Sequence, residues 1–414
     1  MRSLPQSPRV RRILLAYTLN EVGTWLGYVA LSVAVYDATG SGAAVAGLLV
    51  ASRLVPALIV PALVARVEAS RRSGELSVLY LVQAACTAAL AATIGDMWLP
   101  AVLLLVMIDG AAALTASALL RAEATRAQGS ARSATAALNF AYTAALIVGP
   151  ALAGVLVGAW GAEVALLIDA ASFVVAAALL RTLHPHIEEA GRESVRARLA
   201  VAWSHLRGTP ALWRLLVVEA VAIVFFAAAE PVEVIYAKST LAAGDWGFGL
   251  LLATWGVGMA LGGVLFGAAR TLSLRSMLIS GTLAIGFGYL GFAAAPNLAL
   301  ACVAAVIGGI GTGMQWGAWL AAAQILTPSA LHGRLMGAMQ SINSLCPALG
   351  FALGGAVATL SSARVAFVVA GGASVMLAGV FVRGTTRLPA PTDAPAGEAL
   401  APQTPAAEEA SVAL

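Results

Sequence analysis

Glu21, Arg53 and Asp109 are ionisable side chains that lie deep within long apolar stretches of the chain. If each stretch is a helix, these side chains lie roughly 13 to 15 Å along it, near the middle of a bilayer. An ionisable group at that depth costs about 3 kcal/mol or more, so it needs a partner, a wet cavity or a function. Either Arg53 forms a fixed ion pair with Asp109 or Glu21, or one carboxyl group carries a proton whose binding changes with access to either side of the membrane.

A second set of carboxyl groups falls in the seventh apolar stretch. Spacings of 7, 4 and 3 residues place on one helix face Glu219, Phe226, Glu230 and Glu233. Lipid does not accommodate such a face, so it should point into the protein or into a water-filled cleft. Pro231 removes one backbone hydrogen bond and predicts a kink. Alternatively, Glu230 and Glu233 are near the outer end of the helix and are simply solvated.

Polar and aromatic side chains recur at helical spacing in several other apolar stretches. One such stripe alone is explained equally well by hydrogen bonds between helices. Several stripes from both halves of the chain favour a wet central cavity with aromatic walls, suited to an amphipathic organic ligand. The candidate lining residues are Trp25, Asn139, Tyr142, Trp255, Gln315, Trp316, Gln340 and Asn343.

The sequence has no signature of a catalytic, nucleotide-binding or metal site. It has no Gly-x4-Gly-Lys-Ser/Thr, His-Glu-x-x-His or Gly-x-Ser-x-Gly motif. Cys86, Cys302 and Cys346 lie in apolar stretches without metal-ligand spacing and are interpreted as core residues. His184 and His186 are interpreted as part of a solvated loop. We therefore predict no enzymatic activity, no cofactor and no metal site.

The composition predicts an all-α membrane protein. Hydrophobic residues make up 60% of the 414-residue chain and charged residues 11%, whereas soluble domains are about half apolar and about a quarter charged. This excludes a soluble globule, a disordered chain, a coiled coil and a nucleic-acid binder.

Twelve apolar stretches approach the length of about 20 residues that a spanning helix needs. They predict an N-terminal six-helix bundle over 1–182 and a C-terminal six-helix bundle over 212–388. A cytoplasmic linker with an amphipathic helix at 195–206 is expected over 183–211, and a disordered tail over 389–414. The predicted spans are 13–36, 43–65, 75–94, 100–120, 133–158, 162–182, 212–236, 247–268, 275–294, 298–322, 334–356 and 363–383.

The basic residues predict the orientation in the membrane. With a cytoplasmic N-terminus, 21 of the 24 basic residues lie on the inner side, whereas only Lys238 and Arg364 lie outside. The positive-inside rule therefore predicts a multi-pass protein of the cell membrane with both termini in the cytoplasm.

The two halves of the sequence are related. Gly47-Leu-Leu-Val-Ala-Ser-Arg53 parallels Gly249-Leu-Leu-Leu-Ala-Thr-Trp255 at an offset of 202 residues, and Arg132 and Arg334 share that offset. A duplicated six-helix unit predicts two parallel bundles that meet at a central interface, with a substrate near the middle of the membrane.

Local motifs add a family resemblance. Gly23-Thr-Trp-Leu26, Val35-Tyr-Asp-Ala-Thr-Gly-Ser41, Ile147-Val-Gly-Pro-Ala-Leu-Ala-Gly154 and Leu167-Ile-Asp-Ala-Ala-Ser-Phe173 carry it. With twelve spans in two halves, the chain resembles the major facilitator superfamily, in particular its enterobactin exporters and macrolide efflux proteins. The resemblance implies export of a drug, siderophore or natural product by proton antiport. Nutrient uptake, facilitated diffusion and a non-transporting sensor are the alternatives.

The resemblance also implies roles for individual residues. Glu21, Asp109 and Glu230 are candidates for proton coupling, with Arg53 biasing them. The family's antiporter motif is matched by Gly149, Pro150 and Gly154. The gating loop keeps its basic residues, Arg66, Arg71 and Arg72, but has Pro61 and Ala65 where the family has Gly and Asp. We expect a monomer that interacts with substrate, protons and lipid, and not with nucleic acid.

Overall fold

The computed structural model describes residues 8–70, 74–128, 131–181, 208–269, 272–328 and 331–384. Within these ranges the chain forms eleven α-helices and one π-helical turn, Tyr236–Thr240, and no β-strand. The helices are α1 Pro8–Thr39, α2 Gly42–Ser70, α3 Glu75–Thr93, α4 Leu99–Gln128, α5 Ala131–Leu180, α6 Pro210–Ile235, α7 Gly244–Ala268, α8 Leu274–Ala294, α9 Leu298–Ile325, α10 His332–Leu360 and α11 Ala363–Gly384.

The turns between these helices follow local sequence signals. Gly40 and Gly74 adopt left-handed backbone, with φ of 62° and 88°, where one helix ends and the next begins. The side chains of Ser273 and Asn297 accept hydrogen bonds from backbone N–H groups in the first turns of α8 and α9.

Nine of the described helices are long and apolar enough to cross a membrane. The multi-pass, all-α prediction is therefore confirmed, whereas the count of twelve separate spans is not. The predicted spans 133–158 and 162–182 both fall in α5, which consists of two helical arms joined across a kink at Gly161, with φ 86° and ψ 166°. We refer to 131–160 and 162–180 as the first and second arms of α5. The linker 195–206 and the tail 389–414 lie outside the described residues, and their predictions stay untested.

The helices pack as two bundles, α1–α5 and α6–α11. In the first, α1 lies along α5, and α3 packs against α5 and α4; in the second, α9 packs between α7 and α8. The two bundles meet along two seams, one between α5 and α7 and one between α2 and α10.

The apolar core is shared between the bundles at one end of the molecule and divided at the other. Where α1 ends and α2 begins, one continuous cluster contains residues of both bundles, such as Leu26, Val33, Val232 and Phe248. We call this the closed end. At the opposite end, where α1 begins, each bundle has a core of its own, and we call this the amino-terminal end. The core of the first bundle is built around Tyr17 and Tyr80, and that of the second around Trp319 and other residues.

Candidate functional site

Charged side chains from both bundles act on one another electrostatically across the interface. The positive charge of Arg53 on α2 acts on the carboxyl groups of Glu21 on α1 and Glu230 on α6. Tyr28 also lies here, with its hydroxyl 3.5 Å from the backbone oxygen of Glu230. The same charges act on Tyr142 on α5. We call Glu21, Arg53, Arg121 and Glu230 the interface charge cluster.

The expected fixed ion pair of Arg53 is not found. Among the described residues, Arg53 has no carboxylate within 4.0 Å, since the four ion pairs present involve other residues. Its side chain is exposed, and Asp109 is not among the carboxyl groups on which it acts. Arg53 therefore lies between two bundles rather than holding one bundle together.

Glu21 has a second arginine as its neighbour. The charge of Arg121 acts on Glu21, while the side chains of Tyr17 and Asn20 lie within hydrogen-bonding range of its carboxyl group. Arg121 also donates a hydrogen bond of 2.8 Å to the Tyr17 hydroxyl and lies 5.5 Å from the centre of that ring. In the sequence, Arg121 resembles one of several inner-surface arginines. Because it lies 100 positions from Glu21 in the chain, the sequence did not predict that the two interact.

The aromatic wall of the interface is built around α1. Trp25 and Tyr28 meet edge to face with 5.8 Å between ring centres, and Tyr28 lies 6.1 Å from the ring of Phe248 on α7. Gly149 on α5 makes room for Trp25, because a Cβ at Gly149 would lie 2.7 Å from the Trp25 Cβ. The predicted role of Trp25 in substrate binding stays a prediction.

The predicted antiporter motif lies on the α5–α7 seam. A Cβ added at Gly154 would come within 3.0 Å of the Gly249 Cα and 3.2 Å of the Trp246 Cα. Gly249 in turn packs against Pro150 and Gly154. These residues allow the two bundles to touch backbone to backbone, and any larger side chain would separate them.

The remaining predicted lining residues of the interface have different environments. Asn139 is exposed on the first arm of α5, and Asn343 is half-buried on α10. Trp316 is 39% exposed and stacks on Trp319 with 5.6 Å between ring centres. The side chains of Gln340 and Arg66 lie outside the described part of the structure, as do Arg71 and Arg72 entirely, so their predicted roles stay predictions.

Two predicted lining residues lie inside the second bundle instead. Trp255 is 8% exposed and stacks on Tyr289 with 5.1 Å between ring centres. Gln315 is 5% exposed and donates a 2.7 Å hydrogen bond to the carboxylate of Glu219. Helical spacing alone does not distinguish a face that points at the neighbouring bundle from one that points into its own.

Glu233 is not solvated. It is 9% exposed, and its Oε2 has no hydrogen-bond partner within the described residues. α6 continues through Pro231 to Ile235 before the π-helical turn begins. The interpretation of Glu233 as a solvated end residue is therefore wrong.

Asp109 lies inside the first bundle, next to a carboxyl group that the sequence analysis did not single out. Asp109 on α4 acts electrostatically on Asp169, in the second arm of α5, and on Cys86 of α3. Asp169 is 3% exposed, and Ser172 lies 3.4 Å from its Oδ1. Its place in a buried heptad with Ala162 and Ala176 was the available signal.

Ionic contacts join the bundles at the closed end. Lys238, in the π-helical turn, pairs with Asp37 at the end of α1 at 2.6 Å and with Asp245 at the start of α7. The hydroxyl groups of Tyr36 and Ser239 lie 2.6 Å apart. The sequence marked Lys238 only as an outer basic residue and did not predict this contact.

At the amino-terminal end, the described ion pairs stay within one bundle. Arg9 of α1 pairs with Glu123 of α4, and Arg126 lies 3.6 Å from the same carboxylate. Within the described ranges, no group of three or more His, Cys, Asp or Glu side chains is arranged to hold a metal.

Residues 5–411 match the sequence profile of the transmembrane secretion effector family, MFS_3, over nearly the whole chain. The chain belongs to this family of the major facilitator superfamily. It is thus a multi-pass membrane transporter. No curated protein matches its sequence.

Solved transporters share the fold of this chain. A nucleoside transporter, NupG, in its D323A form is 14% identical, with a TM-score of 0.75 over 92% of this chain and 100% of its own. A bacterial homologue of the iron transporter ferroportin in an inward-facing state is 14% identical, with a TM-score of 0.71 over 92% and 100% of the two chains. A bacterial homologue of the lysosomal transporter Spinster is 13% identical, with a TM-score of 0.64 over 92% and 96%. Identities this low establish the shared fold and not a shared substrate.

Proposed function

We propose that this protein exports small organic molecules from the cytoplasm in exchange for protons, as a secondary active transporter of the cell membrane with both termini inside. The observation that carries the proposal is the interface charge cluster, in which the positive charge of Arg53 acts on one carboxyl group from each bundle. A cluster divided between two bundles changes whenever the bundles move, so ligand binding there is coupled to access.

Alternating access is supported by the unequal packing of the two ends. The bundles share one core and the Lys238 contacts at the closed end, while each has its own core at the amino-terminal end. With the proposed orientation, this state is open towards the cytoplasm. Rocking of the bundles about the glycine contact of Gly154 with Gly249 would close that end and open the other.

The cluster also supports a class of substrate. Trp25, Tyr28 and Tyr142 offer apolar ring faces, and Glu21 and Glu230 offer negative charge beside them. Aromatic rings next to carboxylates suit an amphipathic molecule that carries an amine. We therefore propose cationic or zwitterionic amphiphiles as the transported class.

Proton coupling follows from competition for the same carboxylates. Arg53 can neutralise only one of Glu21 and Glu230 at a time, which leaves the other free for a proton or for a substrate amine. If the two compete, arrival of a proton from outside displaces the substrate, and departure of that proton inside lets the next substrate bind. This exchange is antiport.

The proposal is tested in inside-out membrane vesicles with the fluorescent cation ethidium as the probe. Vesicles acidified inside should accumulate ethidium, and collapse of the pH gradient should abolish the accumulation. Glu230→Gln should lower the rate by about tenfold, which corresponds to a loss of about 1.4 kcal/mol. Glu219→Gln is the matched control, since that residue is buried in the second bundle and hydrogen-bonded to Gln315.

Other outcomes identify the alternatives. Equal flux in both directions without a pH gradient would identify a facilitated-diffusion or uptake carrier and exclude antiport. No flux of ethidium, together with no stabilisation of the purified protein by amphipathic amines, siderophores or macrolides, would favour a sensor that transports nothing.

A further inference from the structure

The interior of the first bundle holds buried polar atoms that its own residues do not satisfy. Gln83 on α3 is 0% exposed, and neither its amide nitrogen nor its amide oxygen has a hydrogen-bond partner within the described residues. On α4, Oδ1 of Asp109 is likewise buried without a partner. Buried polar groups in folded proteins nearly always have a partner in the protein, in water or in a ligand. The first bundle has further atoms of this kind, including the Tyr80 hydroxyl, but Gln83 and Asp109 lie on the neighbouring helices α3 and α4 and point to something that binds between them.

Gln83 lies at the level of Asp169. α3 and the second arm of α5 run antiparallel, with the Ser77 hydroxyl donating to the Ala177 oxygen at 2.7 Å and the ring of Tyr80 6.3 Å from that of Phe173. Continuing this register by one turn along each helix brings residues 83–84 next to residues 169–170.

Gln83 also points between α4 and α5. At 100° per residue, its position on α3 falls between Tyr80, which faces α5, and Cys86, on which the Asp109 charge acts. It occupies the same heptad position as Leu76 and Leu90, which are 0% and 2% exposed. The amide is therefore directed at the region bounded by Asp109 and Asp169.

The two carboxyl groups have no positive partner. Asp109 acts on Asp169 as a like charge, and within the described residues no arginine or lysine interacts with either of them. Two ionised carboxylates that repel each other in an apolar interior are strongly unfavourable, so either a proton neutralises one of them or a cation lies between them. The Gln83 amide alone cannot supply that charge.

α1 leaves space around the Asp169 carboxylate. A Cβ added at Gly27 would lie 3.1 Å from Asp169 Oδ2, and one added at Gly23 would collide with Oδ1 and lie 3.2 Å from the Ser172 hydroxyl. Only glycine at both positions allows the carboxylate to lie against the α1 backbone. Asp169 is accordingly buried, with a relative exposure of 3%.

We propose that Asp109, Asp169 and Gln83 bind a hard metal cation, sodium or calcium, inside the first bundle. Two carboxylates and an amide carbonyl are the oxygen ligands that such cations prefer, with water completing the shell. One calcium ion balances both negative charges, and one sodium ion balances one. The site lies apart from the interface charge cluster, so binding there does not depend on which molecule the protein transports.

The experiment measures thermal unfolding of the full-length protein in detergent, with NaCl or CaCl2 compared with N-methyl-D-glucamine chloride at equal ionic strength. One of the two metal cations should raise the unfolding midpoint of the wild type by about 5 °C at saturation. Glu219→Gln, the matched carboxyl change in the other bundle, should respond like the wild type. In Asp169→Asn and Gln83→Leu, the same cation should raise the unfolding midpoint by less than about 1 °C.

Gln83→Leu keeps the test decisive if Asp169→Asn fails to fold, because leucine fills a similar volume and removes the unsatisfied amide. An equal response of Gln83→Leu and the wild type would place the cation elsewhere and overturn the proposal. A wild type that responds to neither metal but is stabilised by acid would show that the carboxyl pair holds only protons, which would also overturn it. Neither result bears on ethidium transport, so this proposal and the proposed export can fail separately.

Discussion

Two carboxyl groups buried inside their own bundles, Glu219 in the second and Asp169 in the first, differ in what surrounds them. Glu219 on α6 is 3% exposed and accepts the 2.7 Å hydrogen bond from Gln315 on α9. In the first bundle, Asp169 is equally buried, but the carboxyl group of Asp109 acts on it as a like charge, and the nearby Gln83 amide has no hydrogen-bond partner among the described residues. The two bundles therefore surround these two carboxyl groups differently.

This contrast shows that burial alone does not identify a functional carboxyl group. The Glu219–Gln315 pair crosses from α6 to α9 and is explained as a structural contact of the second bundle. Asp109, Asp169 and Gln83 span three elements of the first bundle and gain nothing structural from being polar. A group that costs stability without a partner is the better candidate for binding.

The largest expected effect tests the hydrogen bond between Gln315 and Glu219 in the second bundle. Gln315→Leu leaves the Glu219 carboxyl group buried without a donor, so it should lower the free energy of unfolding by about 2 to 3 kcal/mol. The double variant Glu219→Leu, Gln315→Leu should recover most of that loss, because both polar groups are then absent. Denaturant titration of the purified protein measures both values. Equal losses in the single and double variants would mean that the pair does not act as a unit.

The next effect is a gain in stability, and it is expected in the first bundle. In buffer free of metal cations, Asp109→Asn should raise the free energy of unfolding by about 1 kcal/mol, since it removes one of two repelling carboxylates. Glu219→Gln, its counterpart, should not raise it, because Glu219 faces an amide rather than a like charge. Parallel unfolding curves in N-methyl-D-glucamine buffer compare them. A destabilised Asp109→Asn would contradict the claim that these carboxylates repel each other.

A smaller effect concerns the slot on α1. Gly27→Ala should lower stability by about 1 kcal/mol, because the added Cβ would lie 3.1 Å from Asp169 Oδ2 and force the carboxylate to move. Gly263→Ala on α7 is the control, since nothing lies within 4 Å of its Cβ, and alanine in a helix gains up to about 1 kcal/mol over glycine. Thermal unfolding separates the two, and a gain at both positions would show that Asp169 adapts without strain.

The sequence predicted those features that depend on local pattern. Apolar stretches predicted helices that span a membrane, and the motif of Gly149, Pro150 and Gly154 identified a closely packed segment, with Gly149 against Trp25 of α1 and Gly154 on the α5–α7 seam. Depth along a helix also identified Glu21, which is 9% exposed. Each of these inferences needs only the residues of one segment.

Partners across the chain were not predictable in the same way. An ion pair of Arg53 with Asp109 or Glu21 was one of two alternatives, but its charge also acts on Glu230, 177 positions further along the chain. Asp169 was overlooked although it shares a heptad position with Ala162 and Ala176, because the sequence does not show that this position is buried rather than facing lipid. Which face of a helix meets which neighbour depends on the rotation of each helix in the bundle, and single-sequence periodicity does not give that rotation.

The smallest effect on stability is expected where the bundles touch, at Lys238. Its pairs with Asp37 and Asp245 are partly exposed, with side-chain exposures of 17%, 52% and 25%, so Lys238→Met should change the free energy of unfolding by less than about 1 kcal/mol. The internal pairs of both bundles stay intact, because Lys238 contacts neither of them. The effect should instead fall on access, since the lost contacts are the ones that join α1 to the π-helical turn and α7.

Access is measured by maleimide labelling of a cysteine placed at Ala34, which is 6% exposed beside Asp37, in a background with the native cysteines replaced. Lys238→Met should speed labelling several-fold, by about the factor of five that corresponds to 1 kcal/mol. Arg9→Met, which removes an ion pair within the first bundle at the other end, is the control and should leave the rate unchanged. Equal acceleration in both variants would mean that labelling reports general loosening, and that Lys238 does not hold the closed end shut.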